Sequence, residues 1–371
     1  VLVGLEAREV LVTADVEPCD ASEARLEILG LPETATREAR LRVISAIGYD
    51  CHRAIVTIEG FLAGASAAAL DLPIAVAILR GMGRSDLGPN DDAPNGCHYH
   101  DAVFVGALAL DGRVHGVRGV LCRVDSSPIV VPASNAWEAG LAAAEAYSVA
   151  KLADLTDPVP VPPSQLAPHA PHGREDLPPH LRQALEQASD RGRVLLVGAP
   201  GSGKTMVARA LAASAEPLSP QEGREVARIY GAAGLIGDAP LTARRPFRAP
   251  HHTVSEAGLV GGGACPRPGE VTLAHRGVLF LDELPEFRRT ALQALAGVLR
   301  DGAARFVRSR EIVKLPAEPM AVVASANPCP CGYAGSARRA CKCNAGARQR
   351  YDQRLEELRA LLGLHRVEIE S

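Results

Sequence analysis

Residues 193–206 read RVLLVGAPGSGKTM, an apolar run that breaks into glycines and ends on a lysine and a threonine. The run predicts a buried strand, the residues after it predict a helix, and the turn between fits G-x-x-x-x-G-K-[ST] from Gly198 to Thr205. A triphosphate needs such a turn. Its glycines let backbone N–H groups point inward around the phosphates, and the following helix adds its positive N-terminal end. In that arrangement Lys204 reaches the β- and γ-phosphates, and the Thr205 hydroxyl holds Mg²⁺. The plainer alternative is a glycine-rich strand-to-helix turn of some other α/β protein.

A second stretch narrows the choice. Residues 277–287 read GVLFLDELPEF, a buried-strand pattern closing on two adjacent carboxylates. Asp282 is placed for the Mg²⁺ shell, and Glu283 can orient and deprotonate an attacking water. Acidic residues after an apolar strand also serve as simple N-caps, but a pair of them speaks against that. A third apolar strand at 320–327 (MAVVASAN) ends on Asn327, an amide able to sense the γ-phosphate or fix the water.

A chain of 371 residues exceeds one ordinary core, so two or three domains are expected. Hydrophobic residues make up 47% but aromatic ones only 4%, which fits an Ala/Val/Leu-packed α/β protein. The most apolar region, residues 54–79, is interrupted by Glu59 and Asp71, short of the ~18 uncharged residues a membrane span requires. No signal-peptide pattern opens the chain, so a cytoplasmic location with no membrane partner is expected. Charge is uneven: residues 1–155 carry 12 Lys and Arg against 21 Asp and Glu, and residues 156–371 carry 28 against 22. The basic half is thus the half with the nucleotide motifs, where an anionic polymer would be handled.

The first 155 residues alternate β-rich and Ala-rich runs and read as a compact α+β domain. Strands are expected at 8–16, 25–30, 54–59, 102–110 and 129–131, and helices after Pro32, at 71–80 and at 135–146. Thr34 or Thr36 is placed to cap the first helix, whose apolar face holds Ala39, Val43, Ile44 and Ile47. Residues 156–179 are proline-rich without periodicity and read as a linker, so the ATPase core occupies 180–371, its first helix at 180–188.

Three further features carry chemistry. The run at 244–277 holds Arg244, Arg245, Arg248, Arg267 and Arg276 with the neighbours His251 and His252, which read as hydrogen-bonding loop residues rather than metal ligands. Residues 303–315 (AARFVRSREIVKL) alternate like a two-stranded ribbon turning at Ser309 and Arg310, which puts Arg305, Arg308, Arg310 and Lys314 near a projecting tip. Such cations neutralise DNA phosphates, though a plain solvated hairpin has the same pattern. Nine cysteines in a chain of this kind argue for thiols or metal. Cys329, Cys331, Cys341 and Cys343 form C-x-C, nine residues, C-x-C, the ligand count of a structural zinc site; the alternative is four reduced surface thiols.

The segments RPFRAPHH, LVGGGACPRPGEVTLAHRGVLFLDELPEF and ANPCPCGY resemble, in this order and spacing, the Mg-chelatase-like AAA+ ATPases of the competence-linked ComM type. LPETATREARLRVISAIG and FVGALALDGRVHGVRG resemble that family's first domain, similar in fold to the Lon peptidase domain, so the likeness covers nearly the whole chain. The resemblance implies an AAA+ P-loop core behind a Lon-like α+β domain, and a homo-hexamer that binds ATP between subunits and moves DNA during recombination in transformation competence. It assigns Gly198, Pro200, Gly201, Ser202, Gly203, Lys204, Thr205 and Met206 to the nucleotide, Asp282 to Mg²⁺, Glu283 to water and Asn327 to sensing.

Departures from the family pattern bear on turnover. Leu361, Leu362, Gly363 and Leu364 stand where the family carries an Asp-Arg pair whose arginine acts on a neighbour's ATP, and such an arginine is worth about 10³-fold or more in rate. The residues end at Ser371, where the family continues into a helical lid, and begin at Val1; the V-x-G-Q that seats adenine is also missing. In the first domain Asp71 and Leu121 fall near the peptidase serine and lysine, and Ser66 has no matching base, so no peptidase substrate is expected. Three readings therefore stand: a DNA-handling ATPase, a chelatase-type ATPase for metal insertion into a tetrapyrrole, and a nucleotide-binding protein of low turnover.

Overall fold

The computed structural model describes residues 2–60, 66–84, 102–122, 127–142, 145–171, 177–236, 241–263, 266–308, 311–335 and 339–369. They form two compact units: residues 1–165 with 230–241, and residues 166–229 with 242–371.

The second unit is built on a parallel sheet in the order Phe247–Arg248, Val278–Leu281, Ala321–Ala326, Arg193–Val197, His365–Glu368. Its three inner strands are apolar apart from Arg193 and Ser325, because both faces are covered. Alternation divides the side chains between two layers. Val194 and Leu196 meet Leu181 and Leu185 of the helix Pro179–Arg191 and Val207 and Leu211 of the helix Lys204–Ser214. Leu195 and Val197 face the other way, toward Leu292, Leu295 and Leu299 of the helix Arg289–Asp301 and Leu355, Leu358 and Leu362 of the helix Ala345–Leu362. The spacing 292, 295, 299 is one helical stripe, and Gly302, at φ 67°, ends that helix in the left-handed conformation.

A hairpin, Ala303–Arg308 against Glu311–Pro316, follows Gly302, with Ala303 opposite Pro316 and Arg308 opposite Glu311. Its root is buried through Ala303, Ala304 and Leu315. Ser309 and Arg310 lie outside the described residues.

In the first unit the strand His52–Glu59 lies between Leu11–Pro18, antiparallel to it, and Arg25–Leu29, parallel to it. The parallel pair needs a crossover, and the helix Glu33–Ile47 supplies it. Leu26, Ile28, Val56 and Ile58 pack with Ala39 and Val43 of that helix and with Ile74 and Ile78 of the helix Asp71–Gly81. A second sheet runs Val159–Pro160, Ala146–Val149, Ile129–Pro132, Val103–Phe104.

Several expectations are corrected. Neither Thr34 nor Thr36 caps the first helix: Pro32 occupies the cap position, and the Thr36 hydroxyl donates to the Leu31 carbonyl. The strand expected over 102–110 is two short strands, Val103–Phe104 and Ala107–Leu108, which pair in different sheets. The helix expected over 135–146 spans Ala136–Ala142, because Ala146–Val149 pairs instead with Ile129–Pro132. Part of the proline-rich stretch is an edge strand: Val159 lies opposite Ser148, and Pro160 opposite Tyr147. Proline suits an edge, where no ladder hydrogen bond is lost. No described helix is long and apolar enough to cross a membrane.

Candidate nucleotide-binding site

Parallel strands place their carboxyl ends on one rim of the sheet, where α/β proteins bind ligands. Three neighbouring strands end there in the motifs singled out above, and a cavity of about 400 Å³ opens among them. Pro200 to Met206 line one side, and Asp282, Glu283, Ser325, Ala326 and Asn327 the other. Gly198 contributes its carbonyl beneath the loop. A Cβ at Gly198 would stand 2.6 Å from Ser202 Oγ and 2.9 Å from the Ile369 carbonyl, so only glycine lets the chain pass. Gly203 needs its freedom twice: φ is 91°, and a Cβ would come within 2.5 Å of Leu181.

Gly203 is the N-cap of the helix Lys204–Ser214, and no side chain caps it. The donors of the first turn are therefore not satisfied by a side-chain cap and suit an anion. Lys204 Nζ lies over the loop, donating to the carbonyls of Gly198 (2.7 Å) and Ala199 (3.0 Å). Burial lowers its pKa, while the charges of Asp282 and Glu283 act to restore it. A phosphate offered to this ammonium gains a partner stronger than the carbonyls it leaves.

Ser325 was not anticipated and links the two acidic residues. It is 1% exposed; its hydroxyl donates to Asp282 Oδ1 and accepts from the Glu283 N–H at 3.0 Å. Glu283 itself has φ 55° and ψ 53°, left-handed geometry that costs a glutamate ~1–2 kcal/mol. The Glu283 carboxylate is half-exposed, and His252 Nδ1 stands 3.6 Å from its Oε2. His252 is set by the edge of Phe287 and by the ring of His251, whose Nδ1 is 2.8 Å from Thr253 Oγ1. His251 thus makes the hydrogen-bonding contact that the sequence suggested, whereas His252 stands at ion-pair distance from Glu283, which the sequence did not show.

Asn327 accepts at its carbonyl from the Tyr351 hydroxyl at 3.0 Å, and burial pushes the Tyr351 pKa up to about 12. Next to it the four cysteines converge, the one group of three or more metal-capable side chains among the described residues. Cys329, Cys331 and Cys341 sulfurs are 3.5, 3.6 and 3.6 Å apart, and all four sulfurs lie within 4.8 Å of one another. Ligands at ~2.3 Å from one tetrahedral ion stand ~3.8 Å apart, so the cluster fits zinc. Backbone N–H groups of Ala334 and Cys331 point at the Cys329 and Cys343 sulfurs, and N–H groups of Lys342 and Tyr333 lower the Cys331 pKa to about 6. Gly332, at φ 87°, turns this loop so close to Pro200 that a Cβ would lie 2.9 Å from its ring. The cysteine loop therefore rests directly on the phosphate loop.

The expected cationic hairpin is less uniformly cationic than its sequence. Arg305 and Lys314 face each other in register, but Arg305 also pairs with Asp301 at 3.2 Å. Arg308 closes the ladder opposite Glu311, and Arg310 falls outside the described residues. Of the arginines at 244–277, Arg245 is paired with Glu222, Arg248 with Glu270, and Arg276 with Glu225 and Glu318. Those three brace the fold. Leu362 and Leu364, in the segment aligned with the family's arginine, are 2% exposed core residues. In the first unit Asp71 is fully buried in a double contact with Arg42 (2.6 and 3.2 Å), and Leu121 is buried in the core.

A glycine-rich loop opening a helix, with two carboxylates and an amide on neighbouring parallel strands, defines a nucleotide-binding AAA+ protein with a P-loop core. The chain belongs to the magnesium chelatase subunit ChlI family: residues 178–370 match the model described as magnesium chelatase, subunit ChlI, and residues 15–135 match a second, subunit ChlI of Mg-chelatase. An uncharacterized Mycobacterium tuberculosis protein is 35% identical over 94% of this chain and 71% of its own length. Escherichia coli YifB is 35% identical over 83% and 63%, and the competence protein ComM of Haemophilus influenzae 32% identical over 87% and 67%. Among solved structures, NtrX from Brucella abortus with ADP aligns at a TM-score of 0.32 and 20% identity over 52% of this chain and 36% of that one. The magnesium chelatase BchI–BchD complex aligns at 0.31 and 21% over 49% and 66%.

Proposed function

We propose that the chain is the ATP-binding part of a DNA-handling motor that acts in recombination of incoming DNA, a reading in keeping with its similarity to a competence protein. The observation that carries the reading is the convergence of Lys204, Thr205, Asp282, Glu283 and Asn327 on one cavity. ATP seats its β- and γ-phosphates on the loop N–H groups, and Lys204 Nζ exchanges the Gly198 and Ala199 carbonyls for phosphate oxygens. Thr205 and Asp282 are the ligands for Mg²⁺, which neutralises phosphate charge when bound. Ser325 fixes Asp282. Glu283 takes the proton of the attacking water, and Asn327 contacts the γ-phosphate from the third strand.

Assembly as a homo-hexamer and contact of the hairpin cations with DNA belong to this proposal, as does a structural zinc on Cys329, Cys331, Cys341 and Cys343. Four thiolates leave no position for a reacting water, so that ion would hold the loop against Pro200. A second reading, nucleotide binding with little turnover, is favoured by the buried leucines at 362 and 364 where an arginine would be required.

DNA-stimulated ATP hydrolysis tests the proposal beside a Lys204→Ala control. The parent should bind a fluorescent ATP analogue and hydrolyse ATP faster with DNA; the control should lose both. Binding of the analogue by the control as tightly as by the parent overturns the site assignment. Binding by the parent without DNA-stimulated turnover favours the second reading.

A further inference from the structure

Two cysteines outside the four-cysteine cluster face each other at the end of the first unit's three-stranded sheet. The antiparallel pairing of Leu11–Pro18 with His52–Glu59 closes with Pro18 opposite His52. The ladder runs one step further, where the Cys19 N–H donates to the Cys51 carbonyl at 2.9 Å. Alternation puts Cys19 on the side of Glu17 and Cys51 on the side of Arg53, and those two exposed side chains meet across the strands at 2.7 Å. Residues of such a cross-strand pair stand about 5.5 Å apart at Cα, inside the roughly 4.4–6.8 Å that a disulfide spans. Both are free thiols, Cys51 exposed and Cys19 partly buried, and neither belongs to the apolar core of the unit. Burial, Glu23 and the Cys51 thiol raise the Cys19 pKa, so the two thiols lie within electrostatic reach of each other. The turn that delivers Cys51 is held on both sides: the Tyr49 hydroxyl donates to the Arg25 carbonyl at 3.0 Å, and His52 Nδ1 lies 2.7 Å from the Asp50 carbonyl.

We propose that Cys19 and Cys51 are a reversible disulfide site, closed by exchange with a low-molecular-weight disulfide. The exposed Cys51, as its thiolate, attacks one sulfur of that molecule. The small S–S bond breaks, one small thiolate leaves and takes a proton, and Cys51 is left in a mixed disulfide. Cys19, which its raised pKa keeps protonated until then, gives up its proton and attacks the Cys51 sulfur. The Cys19–Cys51 bond forms and the second small thiol is expelled with that proton. Two protein thiols are thereby oxidised by two electrons, and the small disulfide is reduced to two thiols; excess small thiol runs the sequence backward. The closed bond makes a loop of residues 20–50, which contain the strand Arg25–Leu29 and the helix Glu33–Ile47. A cross-link whose ends the native sheet already holds together costs the folded chain little and removes freedom from the unfolded one, so closure stabilises the first unit.

The test incubates the whole chain with oxidised glutathione, alkylates the remaining thiols and maps the digest by mass spectrometry. The parent should yield a linked Cys19–Cys51 peptide that excess dithiothreitol abolishes. Cys19→Ser should stop at a glutathione adduct on Cys51, and Cys51→Ser should leave Cys19 unlinked. At one ratio of oxidised to reduced glutathione, the closed-to-open ratio should be at least about tenfold higher in the native chain than in urea, and the closed chain should melt several degrees higher. A parent that keeps both thiols free, or that carries only the mixed disulfide, overturns the site. So does a Cys19 linked to some other cysteine. Closure as favourable in urea as in the native chain overturns it too, because the fold then does not bring the pair together.

Discussion

Replacing Ser325 by alanine removes one oxygen from a strand otherwise made only of Ala and Val, and it cuts the link between the two carboxylate residues. Two hydrogen bonds are lost: the charge-assisted one to Asp282 Oδ1 and the 3.0 Å bond from the Glu283 N–H. The first is worth ~1.5 kcal/mol, at the low end because an exposed carboxylate can turn to water, and the second ~1 kcal/mol. A stability loss of about 2–2.5 kcal/mol follows, or roughly 4–10 °C in the melting transition of a unit this size. Glu283 is also freed from the contact that holds its left-handed backbone, so the carboxylate no longer points at one place. The expected result is a lower melting temperature by scanning fluorimetry, near-parental affinity for a fluorescent ATP analogue and a turnover number at least ~10-fold lower. A variant with parental melting and parental turnover would refute the role given to Ser325.

Three further outcomes are expected. Chain purified without chelator should hold about one zinc, and Cys341→Ser/Cys343→Ser should lose it together with affinity for ATP, because the loop no longer presses on Pro200; folded, metal-free parent protein in elemental analysis would count against the site. His252→Ala should slow ATP turnover without weakening ATP binding, since the ring reaches Glu283 and does not line the phosphate cavity; an unchanged steady-state turnover number refutes that. Glu138 is 5% exposed, and burial raises its pKa to about 7, so the folded first unit keeps a proton that the unfolded chain releases near pH 4.5. Its contribution is therefore fully present below pH 4.5 and is lost as pH rises through 7, by up to ~3 kcal/mol. Glu138→Gln should melt higher than the parent at pH 8 and show no such decline; a parallel pH–stability curve would show that Glu138 is not the source.

The phosphate loop was legible because everything that makes it is contiguous. A strand of one period, glycines where a side chain meets Ser202 or Leu181, and a helix start all fall within residues 193–206. The ends of the acidic strand and of the strand before Asn327 were legible for the same reason, since apolar runs stop where the sheet rim meets water. The cysteine spacing suggested a cluster, and the fold brings the sulfurs to tetrahedral distances.

Partnerships across the sequence were a different matter, because a polar side chain's partner depends on which strands become neighbours. Ser325 looked like one small residue in an apolar strand until Val278–Leu281 paired with Ala321–Ala326 and put it beside Asp282 and Glu283, 43 and 42 residues away. His252 reached Glu283 only when its loop folded over the rim. Arg245, Arg248 and Arg276 read as a basic run and are spent on Glu222, Glu270, Glu225 and Glu318, carboxylates that tertiary packing alone brings within reach. Local periodicity set the elements and the loop that holds phosphate; strand order, which long-range packing of the apolar faces decides, chose the polar residues that complete the site.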